Sequence, residues 1–463
     1  FCDIDTIKVA QGTYYPSGPF GGQDECGNPI FFPVDRNLSF VLPDSTAVLG
    51  GYEGNSGDTS APRDWVCNKT ILSGDIDDNS DTSGNSYHVV LSIDVDSNAI
   101  MDGFCITGGN ATYSGLLPFP GGGGWFNDGS NGQSSSPTIR NVTFFENYAI
   151  FGGALFNYAQ DGAASPSISN SIFSGNAAIL GGGALANFGI NGTSSPIIIN
   201  TIFSGNHADS LGGAVVNSGP FEEGVASPLF MNCVFNGNSA SKDGGEAGGA
   251  MYSNAGADFQ QPGTSNPTLI NCIIWNNIAE IDSMFSNTGG ATTTIDYSIL
   301  QSGIVGAGTI AGPNNKYAVD PLFFFAPPGS AAPTTAGNFH ILPGSPAIDM
   351  GTNAGAPSYD LDYNPRPFNF IVDIGAYETG YVDCTLYPAG VIYVDSSAVG
   401  ANDGSSWVNA FTDLQDALAA ARLCLLADTV KVAQGTYYPS LSDSLVIIDP
   451  CGVLPPDVTY FEP

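Results

Sequence analysis

The chain has 463 residues, of which 60 are glycine and 31 are proline, while only 12% are charged. This composition is typical of many short strands joined by tight turns, and it disfavours long helices. Ten basic residues against 44 acidic ones give a formal net charge of −34, which excludes binding that depends on neutralising nucleic-acid phosphates. An apolar fraction of 42% supplies enough hydrophobic surface for a core, so the chain is predicted to be folded.

One segment occurs twice. Residues 5–17 recur at 428–440 with twelve of the thirteen positions identical, at an offset of 423 residues (428 minus 5). Self-similarity at a fixed period indicates a repeat architecture, which grows by stacking and does not need to divide into globular domains. We therefore predict one module over residues 1–380 and, over 381–463, a linker and the start of the next module.

The first candidate binding site in chain order is an acidic loop. Asp75, Asp77, Asn79 and Asp81 place oxygen ligands at alternate positions, as calcium-binding loops do, which makes calcium the predicted cofactor. The loop lacks the glycine and the distal glutamate of an EF-hand, so a solvated acidic turn is the alternative.

A shorter repeat occupies the middle of the chain. In each unit a proline precedes an apolar run that contains an asparagine and ends in an aromatic or aliphatic residue, the anchor. A second asparagine follows in every unit, and a glycine pair follows it in the first four units. The prolines are Pro137, Pro166, Pro196, Pro228 and Pro267. The anchors are Phe144, Phe173, Phe203, Phe235 and Ile274. The asparagines within the runs are Asn141, Asn170, Asn200, Asn232 and Asn271.

These units predict a right-handed parallel β-helix, because none can bury its apolar face alone and strand crossovers prefer that hand. The anchors should form an internal stack, and the asparagines should lie at a bend, where asparagine tolerates left-handed backbone geometry. Four variable segments are expected to emerge on one side and to provide any binding surface. They are residues 158–165, 188–195, 218–227 and 253–266.

A new module is predicted to start near Val391, with a cap strand and helix over 391–425 and a first coil over 429–463. Thr412 and Gln415 form a capping box, and the apolar helix face is expected to contain Phe411, Leu414, Leu418, Ala421 and Leu425. An open β-helix end exposes strand edges and core, so this helix is predicted to cover the coil at 429–437. The copy at 5–17 has no such helix before it. We expect a preceding module, or residues 391–463 of another molecule, to cover that end.

The nine cysteines contain no zinc-binding motif. Cys2 and Cys26 flank the first copy of the long repeat much as Cys424 and Cys451 flank the second, which predicts a local disulfide in each copy and an oxidising compartment. Two further cysteines occupy the same slot in adjacent units, where they are expected to be small core residues or, alternatively, to form a disulfide between coils. They are Cys233 and Cys272.

The sequence contains few residues that could form a catalytic site. Between residues 100 and 310 the basic residues are Arg140 and Lys242, and neither has the matching carboxylates that a uronate lyase would need. Glu222 and Glu223 are adjacent and cannot flank a glycosidic bond. The three histidines stand apart, with no serine or cysteine motif nearby: His88, His207 and His340. We therefore predict no catalytic residues and no enzymatic activity.

Several motifs resemble known bacterial proteins. The alternation of Phe-Ser-Gly-Asn (173–176, 203–206) with Gly-Gly-Ala-Leu (152–155, 182–185) resembles the repeats of polymorphic outer membrane proteins, which are surface-exposed β-helical adhesins. The segments Pro-Gly-Ser-Pro-Ala-Ile-Asp (343–349) and Asp-Ile-Gly-Ala-Tyr-Glu (373–378) resemble the end of modules of the choice-of-anchor Q type. The resemblance implies a large, exported cell-surface protein.

Together these features predict an all-β, right-handed parallel β-helix with a short capping helix of the next module near the C-terminus. The predicted function is an extracellular structural or adhesive repeat protein that forms a rod or a head-to-tail filament at the cell surface. A polysaccharide-binding or polysaccharide-cleaving enzyme is the alternative. The predicted partners are other copies of the chain or adjacent modules, head to tail, and a glycan or host-surface ligand. No apolar run is long enough to span a bilayer.

Overall fold

The structure is a computed structural model that describes residues 5–16, 35–54, 63–77, 81–112, 121–220, 223–241, 247–256, 262–280, 284–303, 305–342, 344–368, 370–379, 386–387, 389–400, 402–423 and 427–437. These residues form two units. The first contains residues up to 341 together with 345–378; the second contains 342, 344 and the described residues from 379 onward.

The strands of the first unit pair mainly in four long parallel sheets. Sheet 1 contains β1 (Thr6–Ala10), β4 (Ala47–Tyr52), β7 (Ile100–Asp102), β11 (Thr138–Arg140), β15 (Ser167–Ser169), β19 (Ile197–Ile199), β23 (Leu229–Met231), β27 (Thr268–Ile270), β31 (Thr293–Asp296) and β33 (Thr309–Ala311). Sheet 2 contains β2 (Gly12–Tyr14), β5 (Thr70–Ser73), β8 (Cys105–Thr107), β12 (Thr143–Phe145), β16 (Ile172–Ser174), β20 (Ile202–Ser204), β24 (Val234–Asn236), β28 (Ile273–Trp275), β32 (Ile299–Leu300) and β34 (Lys316–Tyr317).

The other two parallel sheets of the first unit have fewer strands. Sheet 3 contains β9 (Asn110–Ala111), β13 (Tyr148–Phe151), β17 (Ala177–Gly181), β21 (His207–Ala208), β25 (Ser239–Ala240) and β29 (Ile278–Ala279). Sheet 4 contains β3 (Phe40–Val41), β6 (Val90–Ile93), β10 (Trp125–Asp128), β14 (Leu155–Gln160), β18 (Leu185–Ile190), β22 (Val215–Ser218), β26 (Met251–Asn254) and β30 (Phe285–Thr288).

Each complete coil visits the four sheets in the same order. The coil that starts at β11 continues through β12, β13 and β14 before the next coil begins at β15. Every strand therefore lies directly above its counterpart in the preceding coil, as in the pairing of β12 with β16. This arrangement is the predicted right-handed parallel β-helix.

The predicted stack of anchors lies in the core and is confirmed. The side chains of all five anchors are fully buried. Successive phenylalanine rings, from Phe144 through Phe173 and Phe203 to Phe235, stack nearly parallel with centroids 4.6 to 4.9 Å apart. Equivalent residues of neighbouring coils thus pack directly against one another in the core.

Three ladders of asparagine follow the coils. Asn141, Asn170, Asn200, Asn232 and Asn271 all have φ between 46° and 54°, so they make the predicted left-handed bend between sheets 1 and 2. A second ladder lies after sheet 2, where each side-chain amide donates to the next Asn Oδ1 over 2.8 to 3.1 Å. It consists of Asn147, Asn176, Asn206, Asn238 and Asn277. A third ladder, with 2.9 Å bonds, crosses sheet 4 through Asn127, Asn157, Asn187 and Asn217.

The glycine pairs are explained by the sharp turn between sheets 3 and 4. Gly182 has a φ of +66°, which is the left-handed region that favours glycine. A Cβ on Gly183 would lie 2.3 Å from the carbonyl oxygen of Gly213 in the next coil. Only glycine at both positions lets adjacent coils approach so closely.

The variable segments do not all emerge as loops, and here the prediction was wrong. Strands β14 and β18 continue to residues 160 and 190, because Leu155–Gln160 and Leu185–Ile190 pair along their full length. The turns that follow are joined coil to coil by parallel bridges, which link Ala163 to Thr193, Thr193 to Val225 and Val225 to Thr264. Backbone pairing therefore keeps the described parts of these segments in the β-helix wall.

A covering segment (residues 321–341 and 345–378) packs on the outside of sheet 2. It contains a 3-10 turn (Gly329–Ala331) and the antiparallel pair β35 (Phe323–Phe325) and β36 (Asn338–Ile341). Its apolar side chains, including Phe339, Ile374 and Tyr377, cluster with outward residues of sheet 2. Those residues are Ile172, Ile202, Val234, Ile273 and Ile299. The covering segment thus buries the apolar outer face of sheet 2, and the two together form a second hydrophobic core.

The second unit contains β37 (Val391–Val394), α1 (Leu414–Leu423) and β38 (Thr429–Val432), with β37 and β38 paired in parallel. The predicted strand and helix are present. However, Leu418 is 44% exposed, whereas Ala417 and Ala420 are buried against Ile392 and Val394. The small alanines let the helix approach the strands closely and turn Leu418 outward. Thr412 donates its hydroxyl hydrogen to Asn402 Oδ1; the Gln415 side chain and Leu425 lie outside the described structure.

Candidate functional site

The acidic loop is the predicted calcium site. Asp75 and Asp77 are half-buried, and the Asp77 carboxylate lies where a side chain on Gly84 would project. Asp81 Oδ1 accepts hydrogen bonds from the backbone N–H and the hydroxyl of Ser83, at 2.7 and 2.6 Å. Asn79 lies outside the described residues. Within the described part of the chain no three acidic, histidine or cysteine side chains converge as metal ligands, and calcium binding stays a prediction.

A buried carboxylate joins three successive coils. Asp102 is 3% exposed, and its oxygens accept hydrogen bonds from Arg63 and Arg140 over 2.6 Å each and from Asn141 over 2.8 Å. Burial acts to raise the pKa of Asp102, but the hydrogen bonds and positive charge outweigh it and leave the pKa below its ordinary 3.8. Arg140, one of the basic residues weighed for catalysis, is thus part of a structural ion pair.

The Asp102→Asn variant should be less stable than the wild type at neutral pH, by about 3 kcal/mol, because two arginines lose their charged partner in a mostly buried site. Because the pKa of Asp102 is lower in the folded state than in the unfolded state, its carboxylate stabilises the fold fully above the unfolded-state pKa. This stabilisation is lost as the pH falls through the folded-state pKa. Thermal melting at pH 7 and at about pH 3 measures this. The difference in melting temperature between the two proteins should shrink at the lower pH; an equal difference at both would contradict the assignment.

The histidines have contacts that the sequence did not reveal. His88 is buried with Nδ1 3.0 Å from the carbonyl oxygen of Gly122, and desolvation lowers its pKa to about 4. His207 lies between Ser239 Oγ, 2.6 Å from Nδ1, and Asp209 Oδ1, 3.0 Å from Nε2. Stacking of coils creates this contact, since Ser239 occupies the equivalent position in the next coil.

This Ser–His–Asp arrangement does not provide a hydrolase site. A serine nucleophile needs nearby backbone N–H groups that can stabilise an oxyanion. The N–H groups of Ser239 and Ser241 instead donate to Asn206 and Ala208 in the preceding coil. Lys242 and Glu222 lie outside the described residues. No catalytic role is assigned to His207.

The structure shows the bonding state of three buried cysteines. Cys233 and Cys272 are buried and free, so they are small core residues and do not form a disulfide between coils. Burial raises the pKa of the Cys233 thiol, which makes it a poor nucleophile. Cys105 is disulfide-bonded. The predicted pairs Cys2–Cys26 and Cys424–Cys451 lie outside the described residues.

The clearest exposed apolar feature is the N-terminal end of the first unit. Strands β1, β2 and β3 each come first in their sheets and pair on one side only within the described residues. Between them lies an open cavity of about 240 Å³. It is lined by Ile7, Val9, Tyr14, Phe40, Val41, Leu42, Pro43, Val48, Leu72, Met101 and Phe104. Among the described residues, Ile7 and Val41 at this end are 40% and 64% exposed.

Comparison with known proteins gives one sequence match. Residues 200–218 match the model of the Chlamydia polymorphic membrane protein repeat. The resemblance inferred from the sequence is confirmed in this stretch. It runs from the bend at Asn200, through β20 and the Gly212–Gly213 turn, to the end of β22. No curated protein matches the chain.

Among solved structures, the crystal structure of pectate lyase Pel9A is similar at a TM-score of 0.35 and 10% sequence identity. The match covers 81% of this chain and 89% of that one. In the described part of the chain, no helix combines the length and the apolarity that crossing a membrane requires.

Proposed function

We propose that the chain is a stiff structural segment of an exported, cell-surface repeat protein, in which β-helices joined end to end form a rod that presents adhesive surfaces. The observation that carries this proposal is the continuity of the ladders. Two sheets of ten strands each run the length of the first unit, and buried phenylalanine and asparagine ladders connect its middle coils. Bending such an object would have to break several ladders together.

Other features support a location outside the cell. The polymorphic membrane protein repeat at 200–218 indicates a surface protein. Disulfide bonding at Cys105 fits an oxidising environment. The net charge of −34 opposes association with anionic lipid and nucleic acid. The polysaccharide-cleaving alternative has no comparable support, since Asp102, His88 and His207 are engaged in structural contacts.

Electron microscopy tests the rod, and surface labelling tests its location. At a strand spacing of about 4.8 Å, a ten-stranded sheet is about 43 Å long. Images of the purified protein should show straight particles of at least this length. An antibody to the first unit should label intact source cells. Globular particles would reject the rod, and label confined to broken cells would reject the surface location.

Calcium binding by Asp75, Asp77, Asn79 and Asp81 is a separate proposal. If the loop holds the ion, a chelator should lower the melting temperature by several degrees, since bound ligand stabilises the folded state by mass action. Differential scanning calorimetry with and without chelator measures the shift. The Asp77→Asn variant should abolish it, whereas Asp161→Asn, in an exposed turn, should not. An unchanged wild-type melting temperature would reject calcium.

A further inference from the structure

We propose that a cluster of side chains around Arg140 binds an acidic sugar, through a two-pronged contact between the arginine and a uronate carboxylate. The inference deepens the proposed surface function, on which it rests, by naming one adhesive surface of the rod and the chemical class of its ligand. The Arg140 cluster lies at the bend between sheets 1 and 2. Its members are Arg63, Trp65, Asp102, Arg140, Asn141 and Tyr363.

The side chains of the Arg140 cluster fix one another's positions. The Tyr363 hydroxyl donates to Asn141 Oδ1 over 2.6 Å, and the Tyr363 ring meets Trp65 edge-on with centroids 5.6 Å apart. The Arg63 guanidinium carbon lies 4.7 Å from the Trp65 ring centroid. Arg63 and Asn141 both donate to Asp102 Oδ1, which closes the circuit of contacts. A site whose groups are positioned in advance binds its ligand at a smaller entropic cost.

Arg140 offers the groups that recognise a carboxylate. Its Nε donates to Asp102 Oδ2 over 2.6 Å, so the buried carboxylate holds the guanidinium by one nitrogen. Within the described structure its two Nη groups make no hydrogen bond, and the side chain is 45% exposed. Two parallel N–H groups of a guanidinium match the two oxygens of a carboxylate. Arg140 can therefore bind a second carboxylate without releasing Asp102.

The Arg140 cluster is a local positive site on a strongly acidic protein. The chain has ten basic residues against 44 acidic ones. Two of the ten, Arg63 and Arg140, meet at the single carboxylate of Asp102, which leaves one positive charge in excess among these three side chains. An anionic ligand is attracted to such a site by the local charge, although the protein as a whole repels anions.

Two carboxylates close to the cluster in sequence have partners of their own. Asp64 Oδ1 accepts the backbone N–H of Cys67 over 2.9 Å. Asp362 Oδ2 lies 2.6 Å from His340 Nε2. Within the described structure neither forms an ion pair with an arginine of the cluster. They therefore do not occupy the Nη groups that a ligand would use.

Trp65 and Tyr363 supply a surface for the ring of a sugar. A pyranose has an apolar face of C–H groups that packs on aromatic rings, and its polar groups need placed partners. Tyr363 is 43% exposed. Its φ of +65° lies in the left-handed region, which is costly for a bulky residue and is typical of residues that contact ligands. A carboxylate-binding arginine beside aromatic rings fits a sugar acid better than an inorganic anion.

Isothermal titration calorimetry on the full chain tests this. The probes are two uronic-acid hexasaccharides, one from hyaluronan and one of mannuronate. Chitohexaose, which is neutral and of the same length, is the control for the carboxylate. Pentaglutamate is the control for the sugar ring. The wild-type protein should bind at least one of the uronic-acid hexasaccharides and neither control.

Variants locate the binding. Arg140→Lys keeps a positive charge beside Asp102 but lacks the guanidinium fork, so it should lower the association constant by about tenfold or more. Tyr363→Ala should lower it by roughly fivefold, because it removes a ring face. Lys316→Met is the matched control, since Lys316 is a half-buried basic residue in β34, outside the cluster, and it should leave binding unchanged. Thermal melting shows that each variant is folded, and the two cluster variants test the site independently.

Three results would overturn the inference. The first is a folded wild-type protein that binds neither uronic-acid hexasaccharide. The second is an unchanged association constant in folded Arg140→Lys or Tyr363→Ala. The third is equal affinity for pentaglutamate, which would assign the cluster to acidic peptides. Electron microscopy and cell labelling separate this inference from the proposed function, because straight particles and labelled cells without saccharide binding would reject the sugar site alone.

Discussion

Replacing Phe203 by alanine is expected to lower the free energy of unfolding by about 3–5 kcal/mol. Phe203 is fully buried in the middle of the stack, with Phe173 and Phe235 both 4.9 Å away between ring centroids. It also meets Phe230 edge-on at 6.0 Å. The loss combines the removed apolar surface with a cavity that the rigid ladder cannot close.

Denaturant unfolding followed by circular dichroism measures this change. Leu180→Ala is the matched control, because Leu180 is a large apolar residue of the neighbouring coil that is 44% exposed. It should change the stability by less than about 0.5 kcal/mol. Equal effects of the two substitutions would mean that the stack contributes no more than a surface residue.

Replacing Glu378 by alanine is expected to destabilise the covering segment by about 3–5 kcal/mol, because it leaves a buried arginine without its partner. Arg366 Nε donates to Glu378 Oε2 over 2.8 Å, and the two side chains are 0% and 1% exposed. Burial raises the pKa of Glu378 and lowers that of Arg366. Desolvation therefore opposes both charges, and each depends on the other.

Arg366 also connects the covering segment to the β-helix, since its Nη1 donates to Asn200 Oδ1 over 3.0 Å. Limited proteolysis of the Glu378→Ala protein should consequently cut within residues 345–378 much faster than in the wild type. Glu223→Ala, at an exposed carboxylate, is the control and should leave the cleavage rate unchanged. The double variant Arg366→Met with Glu378→Leu should be more stable than Glu378→Ala, because it removes both charges together. If it were the less stable of the two, the explanation by an unpaired charge would fail.

The β-helix could be read from the sequence because its repeats are spatial neighbours. Phe144 and Phe173 are 29 residues apart in the chain, yet they stack because each coil returns to the same place. The asparagines that recur in each coil at the position of Asn141 likewise predicted a bend, and all five of them have a positive φ. Local backbone preference and periodic apolarity were sufficient here, since they act within a coil or between adjacent coils.

Contacts that are not periodic were not predicted. Nothing in the repeat shows that Asn200 binds the backbone of Tyr359 as well as making a turn. The contact spans 159 residues. The Asn157 ladder was not predicted, although an asparagine recurs at the same offset after three of the glycine pairs, at Asn157, Asn187 and Asn217. The contact of His207 with Ser239 also depends on stacking, because the two residues are 32 positions apart.

The sequence by itself determined the β-helix, its internal stack and the duplicated edge strand, because each is encoded by a local pattern that recurs. Only the tertiary structure decided which surfaces are covered. Sheet 2 is covered by residues from the far end of the first unit. Within the described structure Ile7 is 40% exposed, whereas Val430, in the same sequence context, packs against Ile392 and Ala417. The physical reason is that burial depends on which non-repeating segment reaches a surface, and periodicity contains no information about that.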